Sequence, residues 1–520
     1  GRVPVEPATM PDRYVVQWDK EGLETAGLVK IDILGLRMLS LIAEATQSIR
    51  AERSTVLPTD FDDPAVYDLI GRADTIGVFQ VESRAQSQMQ PLFKPRCFAD
   101  LVVAISLIRP GPIQGDMVHP YLRRRLGEEP VTYPHPRLKP ALEETLGVIL
   151  FQEQVLKVAR DLAGFAAGQG ELLRRALGAK NASEAIETFH EAFVEGAQAQ
   201  GVAREVAEDV FNRLRAFGGY SFPKSHAAAF AVLVYRSAWL KVYHPAAFYA
   251  ALLNHQPMGF WSPAVVVNDA RRHHMQVLPV DLHRSQARCT VVEGGLRLGF
   301  NYVKGMGEAS ITRLVEARLS GPFADLGDFC RRTRLPLRVV ENLILAGAFD
   351  GWAIPRRKLL WELGKLRYPV EELDLVFPDD GVALPELSPT EKFALERSLL
   401  GVSVDGHVME FYRAWLETHG ILGSADLRQR QNGDQVRVGG LVVVHQAPPT
   451  AKGVHFVTLE DEYGLMDVIV RPDVYERYRR VLHQAGLLLV EGAVQRRDGV
   501  VNVVAGRAAL IHTDTAQKPL

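Results

Sequence analysis

The sequence predicts a multidomain, mainly helical chain with α+β parts that closes in a small all-β barrel. Three observations carry this. The chain has 520 residues, too many for one hydrophobic core. Residues 76–270 read as helix after helix, punctuated by Arg109-Pro-Gly-Pro112, Tyr133-Pro-His-Pro136 and His244-Pro245. From Val436 the texture turns to β, with apolar stretches at 436–444, 454–459, 465–470, 487–494 and 500–510. A helical stretch over 473–484 falls between the third and fourth of these, which is the order of an OB fold.

Taken in order, Leu28-Val-Lys-Ile-Asp-Ile33 alternates as a strand, with Val29, Ile31 and Ile33 on its apolar face and Leu28, Lys30 and Asp32 on the other. Gly35 turns the chain into a helix over 38–50. Asp62-Asp63-Pro64 reads as an N-cap with proline in the first helical turn. Segment 183–209 holds seven acids and one arginine, a solvated helical pair. Near residue 275 short strands are expected at 277–280 and 296–300. Tyr302-Val-Lys-Gly-Met-Gly-Glu308 then opens a helix to about residue 319, and another helix spans 337–346 up to Gly347. Residues 353–432 mix short helices with Pro- and Asp-rich turns and are expected as a linker region.

Composition excludes several classes. Hydrophobic content of 47% and charged content of 23% are those of an ordinary globular protein. The net charge of −2 requires any polyanion binding to come from local clusters such as Arg123-Arg124-Arg125, Arg174-Arg175, Arg271-Arg272 and Arg331-Arg332. Three scattered cysteines argue against a disulfide framework and suit a reducing cytoplasm. The stretch 227–239 is too short to span a bilayer, so no membrane role is expected.

The charge pattern has one large irregularity. Between Asp209 and Asp269 there is no acid in 59 residues, where about 7 are expected at the average of 62 in 520. Arg213, Arg215, Lys224, Arg236 and Lys241 remain inside it, around Gly218-Gly-Tyr-Ser-Phe-Pro-Lys-Ser-His226. A surface free of carboxylates but supplied with Lys, Arg and His is what a triphosphate or nucleic-acid backbone requires; a buried apolar helix would also lack acids.

Other candidates follow from local chemistry. Lys304, Gly305 and Gly307 sit in a Gly-x-Gly turn before a helix, where backbone amides approach a phosphate or simply make a turn. In the OB-like module Phe456, Tyr463, Arg496, Arg497 and Arg507 are candidate stacking and phosphate contacts, with barrel filling as the other reading of the aromatics. Asp32 at a strand end is a candidate metal ligand beside Lys30. Asp60-Phe-Asp62 has Asp-x-Asp spacing, but its second half is better explained as the helix cap.

Together these residues resemble the bacterial C-family DNA polymerases, the polymerase III alpha subunit family, collinearly over nearly the whole chain. Leu28-Val-Lys-Ile-Asp-Ile-Leu-Gly-Leu36 looks like the palm strand with a metal-binding aspartate, here Asp32. Gly77-Val-Phe-Gln-Val-Glu-Ser83, Arg109-Pro-Gly-Pro112, Leu150-Phe-Gln-Glu-Gln154, Leu173-Arg-Arg-Ala176 and Gly219-Tyr-Ser-Phe-Pro-Lys-Ser-His-Ala-Ala228 resemble the fingers. Within the family the likeness leans to the error-prone, translesion paralogue, through Lys94-Pro-Arg-Cys-Phe98, Gly111–Arg124 and Ala246–Phe260. Lys224 departs from it, standing where that group more often has an acid.

The resemblance implies the end of a palm over 1–37, fingers over 38–274, a tandem helix-hairpin-helix over 275–352, the linker region over 353–432, an OB fold over 433–513 and a tail over 514–520. It implies template-directed addition of deoxynucleotides to a primer 3′ end, in DNA-damage tolerance. Asp32 would be one ligand of a two-Mg²⁺ site and Lys30 a primer or α-phosphate contact. Arg109, Arg174, Arg175, Lys224, Ser225 and His226 would face the triphosphate. The adjacent Arg174 and Arg175 cannot both face one ligand from a helix, so one is expected to be structural. The implied partners are primer-template DNA, deoxynucleoside triphosphates, a complementary N-terminal half carrying the remaining palm acids, and a sliding clamp reached through an accessory protein. The chain alone is then expected to be inactive. The alternatives are a non-catalytic DNA-binding polymerase remnant, or a portion of the replicative alpha subunit.

Overall fold

Helix α1 (Arg37–Glu52) shows how the helical part is assembled. Met38, Leu41, Ile42, Ala45 and Ile49 recur every three or four residues and are all buried on one face. The computed structural model describes residues 3–9, 13–18, 22–23, 26–28, 36–52, 57–108, 118–178, 183–218, 222–366, 382, 384–448, 451–497 and 500–511. The strand expected at 28–33 lies almost wholly outside these residues. Ahead of α1 a small antiparallel hairpin pairs β1 (Val5–Pro7) with β2 (Tyr14–Val16).

Helix α2 (Pro64–Gly71) begins as its sequence predicts: the Asp63 carboxylate accepts the Ala65 N–H at 2.9 Å and Pro64 opens the first turn. Helices α3 (Arg84–Phe93), α4 (Phe98–Leu107) and α5 (Val118–Leu126) follow. A four-helix group comes next, α6 (Gln152–Ala163), α7 (Ala167–Gly178), α8 (Ser183–Ala199) and α9 (Arg204–Gly218), around a core that includes Val158, Leu173, Phe193 and Phe211. The acidic segment lies on α8 and α9. Part of its charge is paired locally, Arg204 with Glu208 at 2.8 Å and Arg213 with Asp209 at 2.9 Å.

Helix α10 (Lys224–Tyr243) runs between two cores. Ala227, Ala231, Val234, Tyr235 and Ala238 join the core of α2–α5, while Leu233 and Leu240 join the core of α1. Burial on several sides explains its lack of an amphipathic pattern and its alanines, which allow close helix approach. Helices α11 (Pro245–Asn254) and α12 (Pro263–Arg272) complete this region.

The next module opens with a three-stranded sheet in the order β3 (Gln276–Leu278), β5 (Gly295–Arg297), β4 (Thr290–Val292). Helix α13 (Glu308–Arg318) starts after the glycine hairpin, and α14 (Leu326–Thr333) and α15 (Leu337–Leu345) pack behind it. Parts of the segment expected as a linker region are packed into the fold. Leu359 and Leu363 of α16 (Arg356–Lys365), Leu399 and Leu400 of α17 (Pro389–Leu400), and Val402 and Val404 all enter the α1 core. Buried Arg356 ties them together by pairing with Asp350 and, at 3.1 Å, Glu396.

The C-terminal strands β6 (Gln435–Gln446), β7 (His455–Asp461), β8 (Gly464–Val470), β9 (Leu487–Arg497) and β10 (Val500–Leu510) close a barrel in the order β10-β8-β7-β6-β9. Helix α18 (Pro472–Gln484) lies between β8 and β9. The parallel β8–β10 pairing, with all other neighbours antiparallel, is the OB arrangement expected. At Gly492 a Cβ would sit 2.2 Å from the Val504 carbonyl oxygen, so only glycine lets β9 and β10 close there.

Candidate nucleotide and nucleic-acid interface

Three stretches far apart in sequence meet at the N-terminus of α10. Phe222 bridges Phe151, and the Gln152 N–H donates to the Phe222 carbonyl at 3.0 Å. The start of α6 is fixed by buried Gln154. Its Oε1 accepts the Leu150 and Phe151 N–H groups at 2.7 and 2.9 Å, and its Nε2 donates to Ala141 and Thr145. This places Glu153 against the first turn of α10, where its carboxylate accepts the Lys224 N–H at 3.0–3.1 Å. An anion at a helix N-terminus is favoured by the free amides and the helix dipole. The Lys224 ammonium pairs with Glu144.

Arg174 reaches the same place from α7. It makes a fork to Glu171 at 2.7 and 2.9 Å and donates to the Gln152 side chain at 3.3 Å. Arg175 holds the same Glu171 at 2.9 Å and is 70% exposed. The adjacent arginines therefore diverge, Arg174 toward α6 and Arg175 toward solvent. Hydrogen bonds from Arg174 and then Arg175 hold the Glu171 carboxyl down to about 2, so it stays ionised at any working pH. His226 is exposed in the first turn of α10, its ring 5.2 Å from Phe222 and 4.1 Å from Phe230; Ser225 is exposed beside it. Lys30, Asp32 and Arg109 lie outside the described residues.

Exposed ion pairs of the Lys224–Glu144 kind contribute about 0–1 kcal/mol, whereas a hydrogen bond to a charged group contributes about 1.5–3 kcal/mol. The Lys224 side chain is thus a weakly held cation beside a helix N-terminus, whereas Arg174 is held in a fork by Glu171.

A second charged group looks like a metal site but does not suit Mg²⁺. Ligand atoms of Asp74, Asp269 and His273 lie within 4.8 Å of one another. The buried Lys241 ammonium already sits 3.0 Å from Asp74 and 2.8 Å from Asp269. His273 Nε2 is 2.7 Å from the other Asp74 oxygen, and the Tyr249 hydroxyl donates to Asp269 at 2.7 Å. With a fixed cation on both carboxylates, this is a structural ion network rather than a Mg²⁺ site.

The DNA-contact candidates sit on separate modules. Lys304 is exposed on a hairpin held by its own backbone: its N–H donates to Leu399 and its carbonyl accepts from Asn342 at 2.7 Å. Gly305, at φ +88°, takes a conformation that favours glycine, and Gly307 leads into α13. On the barrel Tyr463 is 49% exposed, with Arg413 over its ring at 5.3 Å. Arg496 donates to the Arg428 carbonyl, Arg497 lies 3.7 Å from Glu128, and Arg507 is exposed. Phe456 does not fill the barrel: Val457 and Leu459 point inward, and Phe456 lies on the outer face under the Arg84 guanidinium at 4.5 Å.

That contact belongs to a clamp with no signal in the sequence. Arg84 also donates to Asn502 at 3.2 Å, and Arg272 of α12 pairs with buried Glu460 of β7 at 2.9 Å. Among the described residues no helix is long and apolar enough to cross a membrane.

Comparison with known proteins agrees with this layout. Residues 36–201 match the model for the bacterial DNA polymerase III alpha subunit finger domain, and residues 274–359 match a helix-hairpin-helix motif. The chain is 43% identical over 516 residues to an error-prone DNA polymerase of Pseudomonas aeruginosa, covering 97% of this chain and 50% of the relative. It is 42% identical over 532 residues to one from Methylococcus capsulatus, covering 97% of this chain and 51% of the relative. For one from Corynebacterium glutamicum the figures are 43% over 513 residues, 97% and 48%. The chain spans about half the length of the curated relatives it matches.

Proposed function

We propose, from the premise that the chain is homologous along nearly its whole length to bacterial error-prone DNA polymerases of the polymerase III alpha family, that it supplies the fingers, the helix-hairpin-helix and the OB barrel of such an enzyme. The reaction is attack of a primer 3′-hydroxyl on the α-phosphorus of a deoxynucleoside triphosphate, with pyrophosphate leaving, in DNA-damage tolerance.

The observation that carries this reading is the meeting of Gln152 and Glu153, Arg174 and Lys224 at the N-terminus of an acid-free helix. In this reading the β- and γ-phosphates displace Glu144 and Glu153. Lys224, Arg174 and the first-turn amides then offset the charge that grows on pyrophosphate. Arg175, Ser225 and His226 line the same surface; Arg109 stays a candidate triphosphate contact and Lys30 a candidate primer contact from the sequence. Asp32 remains the Mg²⁺-ligand candidate. The Lys304 hairpin holds duplex backbone, and Tyr463 and Arg496 contact single-stranded template.

Primer extension tests this directly. The 520-residue chain is expected to extend a primer only when the N-terminal half of an error-prone polymerase is supplied, and Asp32→Asn is expected to abolish that rescue. Extension by the chain alone, or rescue that ignores Asp32→Asn, overturns the proposal. DNA binding without any rescue favours a non-catalytic DNA-binding role instead.

A further inference from the structure

The fingers and the barrel meet along a seam that holds two adjoining cavities. The larger, about 1080 Å³, lies between Gln80, Met258 and Phe260 on the fingers side and Gln446 and Phe456 on the barrel. The smaller, about 650 Å³, runs from Arg72 and Trp261 to Arg428 and to Tyr463 in the β7–β8 turn. Glu82, Arg84 and Gln88 line both cavities and form the wall between them.

Arg84 is short of counter-charge at this wall. Its side chain is 10% exposed, and the one carboxylate within 4 Å among the described residues is Asp467, at 3.7 Å. Its hydrogen bonds to Asn502 and to the Val468 carbonyl are long, at 3.2 and 3.4 Å. Burial lowers its pKa, and Asp467 only partly offsets this. A buried cation without a close partner favours an anion. The acids on the seam are already engaged. Glu82 accepts the Gly77 and Phe260 N–H groups at 3.0 and 2.8 Å. Burial raises its carboxyl to about 7, so near neutrality it repels an anion less than an ordinary glutamate would. Asp74 and Asp269 hold Lys241, and Asp467 accepts the Thr458 hydroxyl at 2.9 Å. On the smaller cavity the Trp261 Nε1 donor is buried with no hydrogen-bond partner among the described residues. On the larger one Gln80 stands at φ +63°, a conformation uncommon outside glycine.

We propose that this seam is a groove for a single DNA strand, with one phosphate on Arg84 and the bases on either side of that phosphate in the two cavities. The proposal rests on the polymerase reading above and gives the unpaired strand a path that ends at Tyr463. The larger cavity suits a nucleobase: Met258 and Phe260 offer apolar surface, and the amides of Gln80 and Gln446 both donate and accept, so they match the edge of any base. The phosphate replaces Asn502 and the Val468 carbonyl as the hydrogen-bond partner of Arg84, while Arg272 and Glu460 keep the barrel docked.

Fluorescence anisotropy tests this, with a labelled oligothymidylate of about twenty nucleotides, longer than the roughly 4–16 that one OB module covers. The 520-residue chain is titrated at a series of salt concentrations. No catalytic step is involved, so the groove can fail while primer extension succeeds, and the reverse. Arg84→Gln is expected to weaken strand binding about tenfold and to lower the slope of log affinity against log salt by about 0.7. Blunt-duplex binding, assigned above to the Lys304 hairpin, is expected to stay unchanged in that variant. Arg84→Lys should keep the slope. Asn502→Ala removes the barrel's acceptor for Arg84 but no charge, and should bind the strand at least as tightly as the unaltered chain. Equal losses in Asn502→Ala and Arg84→Gln would overturn the proposal by assigning Arg84 to barrel docking alone. Unchanged affinity and slope in Arg84→Gln, an equal loss on duplex, or displacement by thymidine monophosphate at concentrations that match the oligomer would overturn it as well.

Discussion

The two ends of α10 carry the same charge in opposite settings. Lys224 at its start is 45% exposed and pairs with Glu144, itself 35% exposed. Lys241 near its end is fully buried, and its ammonium also donates to the Asp74 and Ile76 carbonyls at 3.2 Å besides its two carboxylates. Burial decides what each lysine can do. The first pair contributes about 0–1 kcal/mol and, in the proposed reading, gives way to a phosphate. The second cannot lose a partner without leaving a buried charge uncompensated, at about 3–5 kcal/mol. One acid-free stretch thus contains an exposed, weakly held cation at one end, proposed to face a ligand, and a structural bolt at the other.

The largest expected effect is at the bolt. Lys241→Ala should lower the opening free energy of the second half of α10 by about 3–5 kcal/mol, read by hydrogen exchange of its amides. Combined with Asp269→Asn, the loss should be smaller than the sum, because both changes break one network. Additive losses, or a Lys241→Ala change under about 1 kcal/mol, would remove the distinction between the two ends.

A smaller effect concerns pH. The hydrogen bond to Asp74 raises the His273 pKa, with burial and Lys241 working against it and Asp269 in support. Burial alone would raise Asp74, but His273 and Lys241 outweigh it and hold that carboxyl well below its usual range. The His273 contribution is therefore complete below about 6.5 and is lost as pH rises through its raised folded value. The Asp74 contribution is present above about 3.8 and is lost as pH falls. The network should be tightest between these limits. On the alkaline side it should weaken on the order of 1 kcal/mol per unit of raised pKa, and His273→Gln should flatten that side in exchange measurements at a series of pH values. An unchanged slope in His273→Gln would assign the pH dependence to other groups.

Local signals in the sequence translated well into structure. The Asp63-Pro64 cap, the glycine hairpin before α13 and the five barrel strands depend on neighbours in sequence, and each appears within a few residues of expectation. Charge was less legible. The acid-free run suggested a polyanion surface, yet its lysines meet acids from outside it: Glu144, Glu153 and Asp74 lie 80, 71 and 167 positions away from their partners. Helix α14 was not foreseen, and the short helices expected in 353–432 gave no sign that Leu399, Leu400 and Val402 would pack on the distant α1 core. Conversely, the motifs around Arg174 and Lys224 were identified separately, and only folding brings them together.

The most direct test is the KM for deoxynucleoside triphosphate of a polymerase assembled from this chain and an N-terminal half, with Lys224→Gln. Losing one charge-assisted contact worth about 1.5–3 kcal/mol should raise KM about tenfold or more, with stability altered by less than about 0.5 kcal/mol. An unchanged KM, or a loss of stability as large as that of Lys241→Ala, would contradict a nucleotide-facing role for this end of α10.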